Sequence, residues 1–327
     1  MEKLVIIGSG PAAYTAAIYT GRALLSPLLI AGNLLGGQAT LTAEIENYPG
    51  FPQGISGSEL MQLMLEQAER FGARVELDEV IEVDFGRHPF VVKTNGGPIE
   101  AQAVIVATGT TPRKLGVPGE REFVGRGVSF CATCDGFFYR DKPVMVVGGG
   151  DAAVVESDFL TRFASEVYLV HRRDTLRAEP IMQQRVLANP KVKPIWNTVV
   201  TELVGQDAIT GARLRNVKTN EESLLPIAGV FVYIGTEANT GFLKGQLKLD
   251  PWGFIIADRG GRTSVPGVFA AGDVQDPQMH QVATAVGSGA AAGMEAERFL
   301  ALLDSQSYDE ISRAHRGPSI IEPGTPA

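Results

Sequence analysis

Apolar residues along this chain gather in short runs that end on glycine turns and alternate with stretches of helical period. That alternation builds mostly parallel sheets covered by helices. Leu4-Val5-Ile6-Ile7 is apolar throughout and predicts a strand buried on both faces. A helix over 11–22 and a strand Pro27-Leu28-Leu29-Ile30-Ala31 follow. Leu60, Leu63, Met64, Gln67 and Phe71 recur at helical spacing and predict an amphipathic helix over 58–71. Arg74 to Val83 and Phe90 to Thr94 alternate as strands do, and residues 103–110 read as a buried strand closed by a Thr-Gly turn.

The same order restarts in the middle of the chain. Pro143 to Val147 predicts a strand, 151–163 a helix, 166–170 a strand, 192–219 short strands with turns, and 230–235 a last strand. Towards the end, Gly267 to Val274 is a buried strand ending in Gly-Asp, and a long small-residue helix runs from about Gln281 to Leu303. The predicted class is α/β, with two Rossmann-like three-layer dinucleotide-binding domains, the second inserted into the first. Residues 1–115 and 245–327 form one domain and 118–242 the other, joined by connections near 112–119 and 236–245. Residues 304–327 read as a polar tail, disordered by composition.

Composition adds limits. At 327 residues the chain holds two domains of ordinary size, and 44% hydrophobic with 20% charged residues is ordinary for a globular protein. A net charge of −8 argues against a general nucleic-acid binder. Residues 1–3 lead straight into a strand, and the longest weakly polar run, Val282 to Met294, is too short to span a bilayer. A cytoplasmic protein without a membrane partner is expected.

Two glycine turns carry the candidate chemistry. Gly8-Ser9-Gly10-Pro11-Ala12-Ala13 follows the first strand, and Gly148-Gly149-Gly150-Asp151-Ala152-Ala153 follows the middle one. Glycines there let a phosphate approach backbone N–H groups at a helix start. At the end of the second strand, where an acid would read a ribose, Gly32-Asn33 stands instead. In the middle domain that place holds His171-Arg172-Arg173-Asp174-Thr175-Leu176-Arg177, and guanidinium groups suit the 2′-phosphate of NADP. A solvated basic face is the bland alternative. Asp273 is placed to hold a ribityl or ribose hydroxyl.

Cys131-Ala132-Thr133-Cys134-Asp135 contains both cysteines of the chain. Zinc needs four ligands, and the histidines, His88, His171, His280 and His315, are scattered, so no metal is expected. A structural disulfide would close too short a loop to constrain much. Redox catalysis remains, with electrons passing from one nucleotide cofactor, through another, to a disulfide. Asp135-Gly136-Phe137-Phe138 reads as a helix start that would lower a thiol pKa. Asp135 either exchanges protons with the sulfurs or complements the helix dipole.

These motifs together resemble the low-molecular-weight NADPH-dependent thioredoxin reductases, flavoproteins of the pyridine-nucleotide disulfide oxidoreductase group. The resemblance rests on GSGPAA at 8–13, GGQ at 36–38, ENYPG at 46–50, ATG at 107–109, CATCDGFFYR at 131–140, GGG at 148–150, HRRDTLRA at 171–178 and GVFAAGDV at 267–274. It implies FAD held by Gly8, Gly10, Pro11, Ala12, Gly37, Gln38, Asn47, Ala107, Thr108, Gly109, Gly272, Asp273, His280, Gln281 and Val282. It implies NADPH held by Gly148, Gly150, Asp151, Ala152, His171, Arg172, Arg173 and Arg177. Cys134 matches the sulfur nearer the flavin, Cys131 its partner, and Asp135 the acid. A thioredoxin disulfide is the implied substrate, in a homodimer whose domains turn about the two connections.

Three positions depart from that pattern. Ala152 stands for a Ser or Thr, Val155 for an acid, and His280-Gln281-Val282 for Arg-Gln-Ala. They leave open a donor other than NADPH, such as a ferredoxin, or a flavin-dependent dithiol oxidase. A redox-sensing flavoprotein that signals by domain rotation is the non-enzyme alternative. The tail, through Tyr308, Arg313, His315 and Arg316, either docks near the flavin or nucleotide groove of its own dimer and partly covers the donor's approach, or rests on an irrelevant surface.

Overall fold

A computed structural model of the chain describes residues 1–42, 45, 47–315 and 317. Two compact units divide it: Met1–Thr111 with the described residues from Glu237 onward, and Pro112–Thr236. In the first unit the strand Glu2–Ile7 lies between Leu28–Ile30 and Gly97–Val106, parallel to both. Arg74–Glu76 extends the sheet beyond Leu28–Ile30, and Val268–Ala270 pairs parallel with Gly97–Val106. Phe90–Thr94 and Val80–Asp84 add antiparallel strands, giving a seven-stranded sheet among the described residues.

The register levels the parallel strands: Ile7 faces both Ile30 and Val106, and Ala270 faces Val106. The turns that follow therefore emerge along one edge. Period-2 alternation sorts the core. Leu4, Ile6, Leu29, Ala103 and Ile105 pack under the helices Pro11–Arg22, Gly57–Arg70 and Val282–Leu303. Val5, Ile7, Leu28, Ile30, Val104 and Val106 meet Leu243, Leu247, Ile255 and Val274 on the other face.

Helix Gly57–Arg70 begins where Ser56 accepts the Glu59 N–H at 3.1 Å. Its buried stripe is Leu60, Met61, Met64, Leu65 and Ala68, while Leu63 and Gln67 are exposed. The inward face is thus turned away from the stripe expected from spacing. Packing beneath the helix, rather than its own periodicity, chooses between two overlapping apolar stripes.

The tail is folded in its described part, against the compositional expectation. Residues Tyr308–Ala314 form a helix that opens on a capping box between Ser307 and Glu310. Tyr308 stacks on His88 with centroids 4.3 Å apart and donates its hydroxyl to Pro266 O at 3.3 Å. His315 Nε2 lies 3.0 Å from Thr263 O. The local cap and these distant contacts offset the shortage of apolar residues. Tyr308 also meets Phe90, which pairs with Ala101, and Ala101 pairs with Glu2 at the start of the first strand. That is the end of the sheet opposite Gly8, so within one chain residues 307–315 stand away from the first glycine turn. Arg313 is exposed on this helix; Arg316 and Pro318–Ala327 lie outside the described residues. Tyr308→Ala is expected to cost the helix about 1–2 kcal/mol of docking. Limited proteolysis should then trim the C-terminus faster, with the rest of the chain staying folded.

The second unit repeats the plan. Pro143–Gly148 lies centrally, parallel to Glu166–Val170 and Gly229–Tyr233, with Val192–Ile195 and Val128–Ser129 outside them. Helices Asp151–Leu160 and Pro180–Ala188 cover Val144, Val146, Leu169 and Phe231. The antiparallel strands Thr198–Gly205, Ile209–Asn216 and Glu222–Pro226 cover Met145, Val147, Val230 and Val232. Three layers result, helix on sheet on sheet.

The crossings between units are tighter than the predicted connections. Buried Glu120 accepts the N–H groups of Leu115 at 2.7 Å and Gly116 at 2.8 Å, folding that stretch into the second unit. On the return, Asn239 donates to Thr108 O at 2.9 Å and Leu243 is fully buried in the first unit.

Candidate active site

Cys131 and Cys134 are joined as a disulfide, with Cα atoms 5.3 Å apart. Cys131 has extended backbone and caps a single helical turn, Ala132–Asp135, closed by Asp135 N–H to Cys131 O at 3.1 Å. The helix therefore starts at Ala132, not at Asp135 as its residue pattern suggests; Gly136–Tyr139 continues it as a 3-10 turn. Two contacts set the earlier start. Ser129 Oγ accepts the Cys131 N–H at 3.1 Å, and Tyr233 Oη accepts the Ala132 N–H at 2.6 Å. With one turn only and its first N–H taken by Tyr233, the turn offers little dipole to a thiolate. Cys131 Sγ lies 3.3 Å from Thr133 Oγ1. Burial pushes the Asp135 carboxyl above the usual carboxylate range, against a hydrogen bond with Ser129 that lowers it. A carboxyl that keeps its proton longer than usual is suited to exchange it with a neighbouring sulfur.

The first glycine turn is forced by contact. Gly8 has φ +124°, and a Cβ there would lie 2.3 Å from Ala107 O. Gly10 precedes helix Pro11–Arg22 with no side chain capping it, and a Cβ on Gly10 would meet nothing nearer than Gly36 O at 4.0 Å. Open space over uncapped N–H groups fits the phosphates of a dinucleotide. Gly37 approaches Gly10 so closely that a Cβ on it would stand 3.3 Å from the Gly10 Cα. A Cβ on Gly272 would meet the Ala12 side chain at 2.9 Å. Asn47 donates to Gln281 Oε1 at 3.0 Å, and Val282 packs on the core beneath the helix it begins. Thr108 Oγ1 donates to Asn239 O at 2.8 Å, and Asn239 N–H to Gly109 O at 3.0 Å. Gln38 is exposed beside Gly37. Residues scattered over 8–282 thus collect along one edge of the first sheet.

Asp273 follows Gly272 on that edge. Burial pushes its carboxyl up to about 6, with His280 acting against the shift. A desolvated carboxylate in that setting is suited to accept a hydroxyl. His280 itself sits with Nε2 3.0 Å from Asp276 O and its ring stacked on Phe254. The acid missing after the second strand is partly restored in space. Asn33 Nδ2 donates to Glu79 Oε2 at 3.0 Å, so a carboxylate from a distant loop reaches that position.

In the second unit, a Cβ on Gly149 would stand 2.2 Å from the His171 ring. His171 is buried beneath the turn, and its Nε2 has no hydrogen-bond partner among the described residues. Burial holds its pKa below the ordinary histidine value. It supports the glycine turn from below rather than standing on an open face. Gly148 closes the strand. Gly150 precedes helix Asp151–Leu160, and a Cβ added to it would meet nothing within 4 Å. Arg177 N–H donates to Gly149 O at 2.6 Å, and Asp151 accepts the Glu179 N–H at 2.8 Å, so the basic loop is pinned to the turn. Arg172, Arg173 and Arg177 are exposed on it. Asp174, the acid within that run, pairs with Lys218 at 2.6 Å. Ala152 and Val155 are exposed on the helix that follows. Sequence reasoning missed Tyr233 and Ser129, which hold the dithiol turn, because neither lies in a motif.

The family model for pyridine nucleotide-disulphide oxidoreductases matches residues 2–289. The chain is 50% identical over 313 residues to the thioredoxin reductase of Streptomyces coelicolor, covering 95% of this chain and 97% of that one. It is 50% identical over 305 residues to the thioredoxin reductase of Mycolicibacterium smegmatis, covering 93% and 98%. Among solved structures, thioredoxin reductase from Streptococcus pyogenes superposes with a TM-score of 0.86 at 45% identity, covering 91% of this chain and 98% of that one.

Proposed function

We infer that this chain, which belongs to the low-molecular-weight thioredoxin reductases within the pyridine nucleotide-disulphide oxidoreductases, reduces the disulfide of a thioredoxin through Cys131 and Cys134. The carrying observation is the bonded pair itself, the only cysteines of the chain, set in a second unit that also holds a glycine turn and a pinned basic loop. Family membership brings use of a flavin and a pyridine nucleotide. FAD is the flavin we assign to the edge formed by Gly8, Gly10, Gly37, Asn47, Gly272 and Asp273, and NADPH the nucleotide we assign to Gly148, Gly150 and the arginines 172, 173 and 177.

The bound flavin supplies the two-electron relay between a hydride donor and a disulfide. The chain's own part is to hold and discharge the sulfurs. Reduction breaks the Cys131–Cys134 bond and adds two electrons and two protons; we assign one of those protons to Asp135, whose carboxyl burial pushes above the usual carboxylate range. One thiol then loses its proton and attacks the thioredoxin disulfide, and the other resolves the mixed disulfide so formed. We take the working unit to be a homodimer and the compartment to be the cytoplasm. No helix among the described residues is long and apolar enough to cross a membrane.

A donor other than NADPH is the second reading, favoured by Ala152 and Val155 on the open side of the nucleotide helix. One experiment weighs both. The purified protein should be yellow and release FAD on denaturation, and anaerobic NADPH should bleach it and support reduction of a thioredoxin. Colourless protein that FAD cannot reconstitute would end the flavin assignment. Bleaching by another donor but not by NADPH would favour the second reading.

A further inference from the structure

The turn that carries Asp273 is fastened to the long helix by a side chain that lies outside the motifs. The Ala271 N–H still belongs to the sheet and donates to Val106 O at 2.9 Å. One residue on, the backbone turns at Gly272 with φ +75°. The N–H of this buried glycine leaves the sheet and donates to Ser288 Oγ at 2.9 Å. Ser288 lies in helix Val282–Leu303, with its Oγ 3.0 Å from both Thr284 O and Ala285 O one turn earlier. Those carbonyls hold the hydroxyl's own proton, so what Ser288 presents to Gly272 is a lone pair.

The bond sits where three backbones crowd together. A Cβ on Gly289 would stand 2.3 Å from Ala12 O, and one on Gly272 would stand 2.9 Å from the Ala12 side chain. Ala12 is in the first turn of helix Pro11–Arg22, the helix start that suits the phosphates of a dinucleotide. Ser288 thus ties the Asp273 turn to the same helix that presses on the first glycine turn. A buried backbone donor needs a partner, and a glycine whose partner is lost is free to rotate away.

We propose that Ser288 is a positioning residue for the flavin and acts through Asp273. By accepting the Gly272 N–H it fixes the Ala271–Gly272 peptide, and with it the direction in which Asp273 leaves the sheet. The Asp273 carboxylate then meets a hydroxyl of the cofactor already aimed. The inference rests on the flavin assignment above and goes beyond it, because Ser288 lies outside the residues assigned there. Without the hydroxyl the turn relaxes in the free protein, and restoring it draws on the free energy of flavin binding. A side chain that only supported the fold would weaken the flavin-free and flavin-loaded protein alike and leave retention unchanged.

The test is the rate at which the purified holoenzyme releases FAD on dilution near pH 8, read as the regain of flavin fluorescence. That pH lies above the value of about 6 to which burial pushes the Asp273 carboxyl, so the carboxylate is ionised. Ser288→Ala is expected to release FAD about tenfold faster, as for a buried donor left without its acceptor. Ser288→Thr keeps the hydroxyl and should release it at the wild-type rate. In an Asp273→Ala background the change at Ser288 should add less than about twofold, because the group it acts through is gone. Where a variant is purified without flavin, titration with FAD gives the same comparison as affinities. Three results overturn the proposal and leave the flavin assignment standing: an unchanged rate in Ser288→Ala, a Ser288→Thr variant as leaky as Ser288→Ala, or the same Ser288→Ala factor in both backgrounds. Wild-type protein that neither holds nor takes up FAD strikes that assignment, and the proposal with it.

Discussion

Serine at Cys131 or at Cys134 is expected to lower thioredoxin reduction by about a thousandfold or more while leaving the flavin bound. The chain has two cysteines, so no other thiol can take the place of either. With one sulfur left, attack on the substrate stops at a mixed disulfide that nothing resolves, or never begins. The variants differ informatively: whichever retains the attacking thiol should accumulate the thioredoxin adduct, visible by mass, and the other should not. The turn itself should survive, because its contacts run through Ser129, Asp135 and Tyr233 rather than through sulfur. Flavin absorbance and its bleaching by the donor give the control. Sustained turnover with thioredoxin in either single variant would remove the dithiol relay.

Those same contacts show where the sequence was readable. The buried strands were, since Leu4 to Ile7 and Val144 to Val147 are apolar throughout and strands of that kind need no partner to be recognised. The glycine turns were, because their spacing is local and their geometry follows from the missing Cβ. What escaped depends on residues far apart in the chain. The start of the dithiol helix is fixed by Tyr233, 101 residues from Ala132. The tail helix is held by a ring stack with His88 and by Pro266 and Thr263, none of which composition can foresee. Helix Pro180–Ala188 went unread because Val186 is its only buried residue, too little for a period. In helix Gly57–Arg70, apolar residues at 60, 61, 63, 64 and 65 support two faces, and only the core beneath selects one.

The double substitution Arg172→Ala/Arg177→Ala is expected to raise the KM for NADPH by about a hundredfold to ten-thousandfold and to leave the slower NADH reaction unchanged. Each charge-assisted contact to a 2′-phosphate is worth about 1.5–3 kcal/mol, or about ten- to a hundredfold in affinity. The two effects need not add fully, as both would fall on one phosphate. The loop supports this reading because it is held at two points, Arg177 N–H on Gly149 O and Glu179 N–H on Asp151. A pinned loop presents its guanidinium groups beside the open glycine turn at little entropic cost. Asp174, the acid within the run, is engaged by Lys218 and so competes less for the arginines. Both main-chain anchors survive alanine at 172 and 177, which is why the NADH rate should hold and serve as the internal control. Salt should weaken NADPH binding in the wild type and do so less in the double variant. A wild type that already prefers NADH, or a double variant that loses both nucleotides equally, would assign the basic run to solvent rather than to the phosphate.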